Sequence, residues 1–308
     1  MRGQYRIYRD NELLQSSDNV ITVQGQREIL KFLSGRSNTI GDFMAFGISE
    51  EPATVDDRKL GFEYYRDRVD LRQPVEQDSK ILLRGIVEQE IAFTIHEIGL
   101  YLLDDVIDER AASTVITSFD ALDDAEWLLW DGTEFFEEGF VFEGGRTGLE
   151  SFQLDVPPSS SYSLIRNGVF GSFIDLQPDD QFALAYETLS GQSDSLEVRF
   201  RVNENNYRSY SFTPSPGFNV ERWERSDFNE VGNAPYDEFR SIEIVSTTSS
   251  DASNIILDGL RFDVISTNNG PILVSRTVLD EPVEKRKTSE LQLEYSIEIL
   301  FSLNEEGS

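Results

Sequence analysis

Apolar and polar positions alternate with a period of two in short runs from one end of this chain to the other. Tyr5-Arg6-Ile7-Tyr8 alternates, Asp10-Asn11 supplies a turn, and residues 5 to 23 read as strands, Val20-Ile21-Thr22-Val23 closing them. Gln24 to Leu33 then shows helical spacing. Ile29, Leu30 and Leu33 share one face, and Gly35 is placed to stop the helix. Phe43 to Ile48 reads as an apolar strand, and Leu60 to Val69 as a charged, aromatic stretch. Strands are predicted at Ile81–Glu88 and Gln89–His96, the second with Ile91, Phe93 and Ile95 on one face.

Asp104 to Arg110 is an acidic, polar break. Beyond it, short strand-like runs recur, among them Val115–Thr117, Phe140–Phe142, Ser151–Val156, Gly171–Leu176 and Gln181–Leu189. Leu196–Val202, Tyr207–Thr213, Ser241–Val245 and Leu257–Val264 continue the series. Pro157-Pro158, Pro178-Asp179-Asp180 and Pro214-Ser215-Pro216-Gly217 punctuate them. Many short strands with polar turns and no long helix predict an antiparallel sandwich. Asn268-Asn269-Gly270-Pro271 marks its end, and the strand grammar of the opening region returns at Ile272–Val278 and Leu291–Ile299. The expected organisation is mainly β: a small α+β domain over residues 1–104 and 268–308, interrupted by a jelly-roll sandwich over 112–265.

Composition removes several functions. The formal net charge is −30 over 308 residues, so the chain repels phosphate backbones and no nucleic-acid partner is expected. Without cysteine, disulfides, thiolate chemistry and cysteine–zinc sites are excluded. His96 is the only histidine, so a Ser-His-Asp triad would have to use it, and His96 and Glu97 point to opposite faces of a strand. No apolar run approaches the ~20 residues of a membrane helix, so no membrane insertion is expected. Met1–Arg6 has no apolar signal core, so export through a signal peptide is not expected.

An ordered set of pieces carries a resemblance. Asn19-Val20-Ile21, the helix, Met44-Ala45-Phe46-Gly47-Ile48 and Leu60-Gly61-Phe62-Glu63 come first. Glu97-Ile98-Gly99-Leu100-Tyr101 and Pro282-Val283-Glu284-Lys285 with Leu291 to Ile299 follow. In this order they resemble a domain of tailed-phage virion proteins of tail fibres and baseplates. That resemblance implies a structural virion protein, not an enzyme, whose partners are other virion proteins and copies of itself. The Gly-Thr-Gly that often follows the family's glycine strand is absent here, and a whole domain replaces its short hairpin. The inserted part, from Tyr207–Thr213 through Pro216–Trp223 to Leu257-Asp258-Gly259-Leu260-Arg261-Phe262, resembles galactose-binding-like jelly rolls of the carbohydrate-binding-module kind. That implies host-surface polysaccharide as a ligand.

Trp127, Trp130, Tyr162, Tyr207, Tyr210 and Trp223 are the candidates for a sugar platform, because apolar sugar faces pack on aromatic planes. The competing role for each is the sandwich core. No cofactor is expected beyond a structural calcium, for which the resemblance nominates Asp258 with Asp131 beside it. Calcium needs six to eight oxygens, which two aspartates do not supply. Arg36, Arg66, Arg68 and Arg72 form the one basic region, suited to an acidic neighbouring subunit or to ordinary surface pairing. The alternatives to glycan display are a spacer without ligand and an accessory module of a glycan-acting enzyme.

Overall fold

A computed structural model of the chain describes residues 2–89, 91–103, 114–117, 119, 127–130, 135–136, 141–143, 146, 150–167, 181–190, 194–236, 238–263 and 271–298. It divides into two compact units, Met1–Asp108 with Asn269–Ser308, and Glu109–Asn268. The first unit opens with β1 (Arg2–Arg9), β2 (Glu12–Asp18), β3 (Val20–Ile21), helix α1 (Val23–Leu33) and β4 (Phe43–Gly47). It continues with β5 (Glu63–Arg68), β6 (Leu71–Val75), β7 (Lys80–Val87) and β8 (Phe93–Leu102). The second unit supplies β9 (Thr114–Thr117), β10 (Trp127–Trp130), β11 (Phe135–Phe136), β12 (Val141–Glu143), β13 (Glu150–Val156), β14 (Ser161–Asn167) and β15 (Gln181–Ser190). After these come β16 (Ser195–Asn203), β17 (Asn206–Phe212), β18 (Gly217–Glu224), β19 (Asn229–Val231), β20 (Ser241–Thr247) and β21 (Ser253–Asp263). The chain then returns to the first unit with β22 (Ile272–Lys285) and β23 (Leu291–Glu298).

In the first unit two five-stranded antiparallel sheets, ordered β2-β1-β23-β7-β6 and β3-β22-β8-β4-β5, share one core. Strand β23 shows why: Leu291, Leu293, Tyr295 and Ile297 are each no more than 1 % exposed, while the residues between them face away. Fully burying a Leu or Ile side chain is worth about 1.5–3 kcal/mol, so this alternation fixes both face and register. Asp10 and Asn11 have φ of 51° and 66°, the geometry of a two-residue hairpin turn between β1 and β2. Val23, assigned to a strand from sequence, begins the helix instead. Thr22 caps it, its hydroxyl accepting the Gly25 N–H at 2.9 Å. Gln89, Ile91 and Ala92, expected in a strand, precede β8, and the Lys285 ammonium donates to the Ile91 carbonyl at 2.8 Å. Strand β6 escaped the sequence reading because it contains Pro74; as a sheet edge it tolerates one.

The second unit is an antiparallel sandwich whose chain passes back and forth between two sheets, a jelly-roll path. One sheet has the order β11-β10-β14-β20-β16-β17-β19 and the other β12-β13-β21-β15-β18, with β9 also on β21. Their inner faces meet through Leu196, Val198, Phe200, Ile242 and Ile244 from the first sheet and Phe182, Leu184, Tyr186, Ile255 and Leu257 from the second. Strand β18 was not legible as a strand, since its residues are half-buried without alternation until Trp223. Gly217, at φ 77°, opens it, and it pairs along its length with β15. The run Gly171–Leu176, expected as a strand, lies outside the described residues.

Candidate binding surface

Strands β16, β17 and β20 send alternate side chains to opposite faces of the seven-stranded sheet. With Leu196, Val198 and Phe200 in the core, Glu197, Arg199 and Arg201 lie on the outer face. Register places Ser209 opposite Arg199, Tyr207 opposite Arg201, and Glu243 opposite Arg199 on the other side. The Arg199 guanidinium reaches Glu197 at 2.5 Å and Glu243 at 3.2 Å, and Arg201 reaches Glu243 at 3.3 Å. Its carbon also lies 5.1 Å from the centre of the Tyr207 ring. Burial opposes the Arg199 charge, but hydrogen bonds and attraction from Glu197 and Glu243 outweigh it, so its pKa is raised. The result is a ladder of fixed donors and acceptors beside one half-buried aromatic ring. Ser163, Ile165, Glu243 and Val245 on the same face are buried, so the accessible part lies toward β17 and β19.

The structure separates the six nominated aromatics. Among those of the six whose side chains are described, Tyr207 is the one that stands on this outer face. Trp223 belongs to the core: it is 2 % exposed and stacks on Phe182 at 5.7 Å and on Tyr210 at 4.9 Å. A ring enclosed on both planes cannot receive a sugar, so Trp223 is withdrawn as a platform residue. Tyr210 packs against the same core and donates its hydroxyl to Glu221 at 2.7 Å; Tyr162 also packs inward. Trp127 and Trp130 pair in register with Arg166 and Ser163 through β10.

The proposed calcium set does not assemble among the described residues. Asp258 is 3 % exposed and both its oxygens accept the Arg146 N–H at 2.9 Å, a structural use of the carboxylate. Asp131 lies outside the described residues. No cluster of three or more His, Asp or Glu side chains is placed to hold a metal among the described residues.

In the first unit, the residues that carry the sequence resemblance converge on a buried polar clamp. The Glu97 carboxylate is fully enclosed, accepting the N–H of Gly61 at 2.9 Å and of Phe62 at 2.7 Å, and Arg276 Nε at 2.8 Å. Arg276 also reaches Asp57 at 2.8 Å and the Glu51 carbonyl at 2.9 Å. Burial opposes the Arg276 charge, and Glu97 and Asp57 more than restore it. Gly47 is required because a Cβ there would strike the Phe62 carbonyl and the Glu97 carboxylate. The Tyr101 hydroxyl accepts the Leu60 N–H at 2.9 Å, and Asn19 donates to Tyr295 at 3.0 Å. Lys285, 1 % exposed, donates to the carbonyls of Ile91 and Arg286, each at 2.8 Å.

These contacts pin the loop between β4 and β5 to β8 and β22. Sequence spacing alone could not show that one carboxylate collects three amides, those of Ser49, Gly61 and Phe62, and a guanidinium. His96 lies 5 % exposed with Nδ1 3.1 Å from Glu50. Within the basic region, Arg66 pairs with Glu63 at 2.7 Å and Arg72 with Asp42 at 3.1 Å, so both are used inside the unit.

No family model matches the chain, and no curated protein matches it. Among solved structures, the family 11 carbohydrate-binding module of the cellulosomal cellulase Lic26A-Cel5E of Clostridium thermocellum aligns with 52 % of this chain and 99 % of its own, at 10 % identity and a TM-score of 0.40. TmCBM61, solved with β-1,4-galactotriose, aligns with 48 % of this chain and 96 % of its own, at 11 % identity and a TM-score of 0.32. The enzymatically active domain of tailspike protein 4 from bacteriophage CBA120 aligns with 49 % of this chain and 21 % of its own, at 17 % identity and a TM-score of 0.32.

Proposed function

We propose that the second unit is a glycan-binding module and that the first unit anchors it in an assembly of the tailed-phage virion type. The observation that carries the glycan reading is the outward row of Glu197, Arg199 and Arg201 beside Tyr207, tied down by the buried Glu243. Adjacent hydroxyls of a sugar match a carboxylate or guanidinium fork, and the apolar face of a pyranose matches the tyrosine plane. Each carboxylate is already tied to a guanidinium, a setting that holds hydroxyls in place rather than cleaves bonds. The virion setting is supported by the ordered motif from Asn19 to Lys285, whose residues make polar contacts within the first unit.

Binding at a single shallow surface is weak, and many copies on one assembly would raise it by avidity. The test is retention of the full chain on a panel of immobilised bacterial surface polysaccharides. The wild type is expected to be retained by at least one of them, and Tyr207→Ala and Arg199→Ala to lose about tenfold or more in affinity, the equivalent of roughly 1.4 kcal/mol. A folded wild type that no polysaccharide retains would leave the spacer role in its place. Immunogold labelling of particles with antibody to residues 112–265 tests the virion setting: label at tail tips or fibres supports it, and antigen found only free in the medium sinks it.

A further inference from the structure

Around Tyr207 the outer face of the second unit turns from charged to neutral. Register sets Tyr207 opposite Val231 and Ser209 opposite Asn229 on the edge strand β19. Directly opposed residues share a face, so Val231 and Asn229 stand outward with Tyr207. Val231 is 39 % exposed and extends the tyrosine ring into a short apolar strip at the sheet edge. A turn rich in asparagine holds the end of that strip. The Asn203 side-chain oxygen accepts the Asn205 N–H and the Asn206 amide at 3.0 Å each, and the Asn206 oxygen accepts the Asn233 N–H at 2.8 Å. Gly232, at φ 67°, is required there, since a Cβ would strike Asn206 Oδ1 and the Asn205 carbonyl.

The charges of this region leave no surplus of cations. Strands β16, β17, β19 and β20, with the turn after β16, carry the carboxylates of Glu197, Glu204, Glu230 and Glu243 against the guanidiniums of Arg199, Arg201 and Arg208. Each guanidinium is engaged: Arg199 by Glu197 and Glu243, Arg201 by Glu243, and Arg208 by Glu230 at 2.8 Å. A polymer of uronates or phosphates would have to draw a guanidinium away from its carboxylate and leave that carboxylate beside a like charge. It would do so against the field of a chain of net charge −30. An uncharged sugar meets no such cost. Its hydroxyls donate to carboxylate and amide oxygens and accept from amide and guanidinium N–H groups with every ion pair intact.

We propose that the outer face is selective for uncharged polysaccharide and rejects polymers that carry carboxylate or phosphate groups. Sugar faces pack on Tyr207 and Val231, while the Asn229 amide and the Glu197–Arg199 pair hold the hydroxyls. The inference rests on the glycan reading of the second unit and specifies its ligand class.

Retention of the full chain on two sets of immobilised polymers tests it. One set is uncharged (dextran, mannan, galactan) and the other acidic (alginate, polygalacturonate, poly(glycerol phosphate)), with EDTA present so that no divalent cation bridges to the acidic chains. At least one uncharged polymer is expected to retain the protein, and every acidic one to bind about tenfold more weakly or less. Raising salt from ~0.1 to ~1 M shortens the Debye length from about 10 to about 3 Å and should change the affinity for the uncharged polymer less than about twofold. Glu197→Gln keeps the shape of the side chain and removes one partner of Arg199. It is expected to bind alginate about threefold more tightly than the wild type, a gain erased at ~1 M salt. A thermal scan checks that this variant is folded. Tightest retention on an acidic polymer, or a Glu197→Gln variant that binds alginate no better than the wild type, overturns the proposal and leaves the glycan reading standing. Retention on neither set brings down the glycan reading and this inference together.

Discussion

The two units bury comparable sandwich cores but hold them together differently. The first threads its core with polar groups: Glu97, Arg276 and Lys285 are each no more than 3 % exposed, and the enclosed Tyr5 hydroxyl lies 2.8 Å from Ser275 Oγ. The second also buries an ion pair, Arg261 with Asp263 at 2.6 Å, but concentrates aromatic rings, with Phe182, Phe200, Trp223 and Phe228 all within 6.2 Å of a ring neighbour. A buried charge is stable only with all its partners, so the first unit tolerates few alternative loop placements. Stacked rings gain from area and shape and leave the outer face free to vary. The contrast suits a fixed anchor and a module whose surface is open to change.

The sharpest way to break the contrast is to disable each principle in turn. Glu97→Ala leaves Arg276 buried without its main partner and the amides of Ser49, Gly61 and Phe62 without this acceptor, and should cost the first unit about 3–5 kcal/mol. All three tryptophans lie in the second unit, so intrinsic tryptophan emission reports on that unit and should unfold at an unchanged denaturant concentration. Hydrogen exchange over residues 43–62 and 93–102 should accelerate in the same variant. Trp223→Ala should do the reverse, costing the second unit about 3–5 kcal/mol through the cavity it leaves. Equal losses in both units from either change would show that stability is shared between them.

How much of this was legible in the sequence differs between the units for the same physical reason. Alternation marked β1, β7 and β16 because one face of each meets a core and the other does not, while β4 showed as an unbroken apolar run, buried on both faces. It failed at β18, which is half-buried on both faces, and at β6, where a proline sits on an edge. Aromatic type announced a sugar platform equally at Tyr207, Tyr210 and Trp223, yet the outer face receives Tyr207 and the core takes the other two. Parity within β17 could have separated Tyr207 from Tyr210, three residues apart, had the strand's inner face been known. The ladder of Glu197, Arg199, Arg201 and Glu243 was missed because charged residues are abundant in this chain. Only the pairing of β16 with β20 brings these four together. The clamp was visible as an ordered motif, but its chemistry depends on contacts up to 225 residues apart in sequence.

Alkaline titration sharpens the comparison at intermediate cost. Burial raises the Tyr295 hydroxyl to about 12 and pushes those of Tyr5 and Tyr101 up as well. An unfolded tyrosine ionises near 10. The folded state therefore binds these protons more tightly, and the stability they confer is full below about 10 and drains as pH rises through 12 and beyond. The first unit, with three enclosed tyrosines, should unfold in that window, and phenolate absorbance should then rise cooperatively. Tryptophan emission should change at higher pH. Smooth ionisation of all tyrosines from pH 10, without accelerated exchange in the first unit, would contradict the burial of these hydroxyls.

The smallest stability effect should separate function from fold within one strand. Tyr207 and Tyr210 both lie on β17, on opposite faces. Tyr210→Ala removes a ring stacked at 4.9 Å on Trp223 and the donor to Glu221, so it should destabilise the second unit measurably. Tyr207→Ala removes a half-buried ring whose recorded neighbour is Arg199 at 5.1 Å, and surface changes of that kind stay within about 0.5 kcal/mol. If Tyr207→Ala abolishes polysaccharide retention while its tryptophan-detected unfolding curve overlays the wild type, the outer face is a binding surface. If Tyr207→Ala instead unfolds the unit as readily as Tyr210→Ala does, Tyr207 is part of the packing and the outer ladder has lost the aromatic plane that made it fit a sugar.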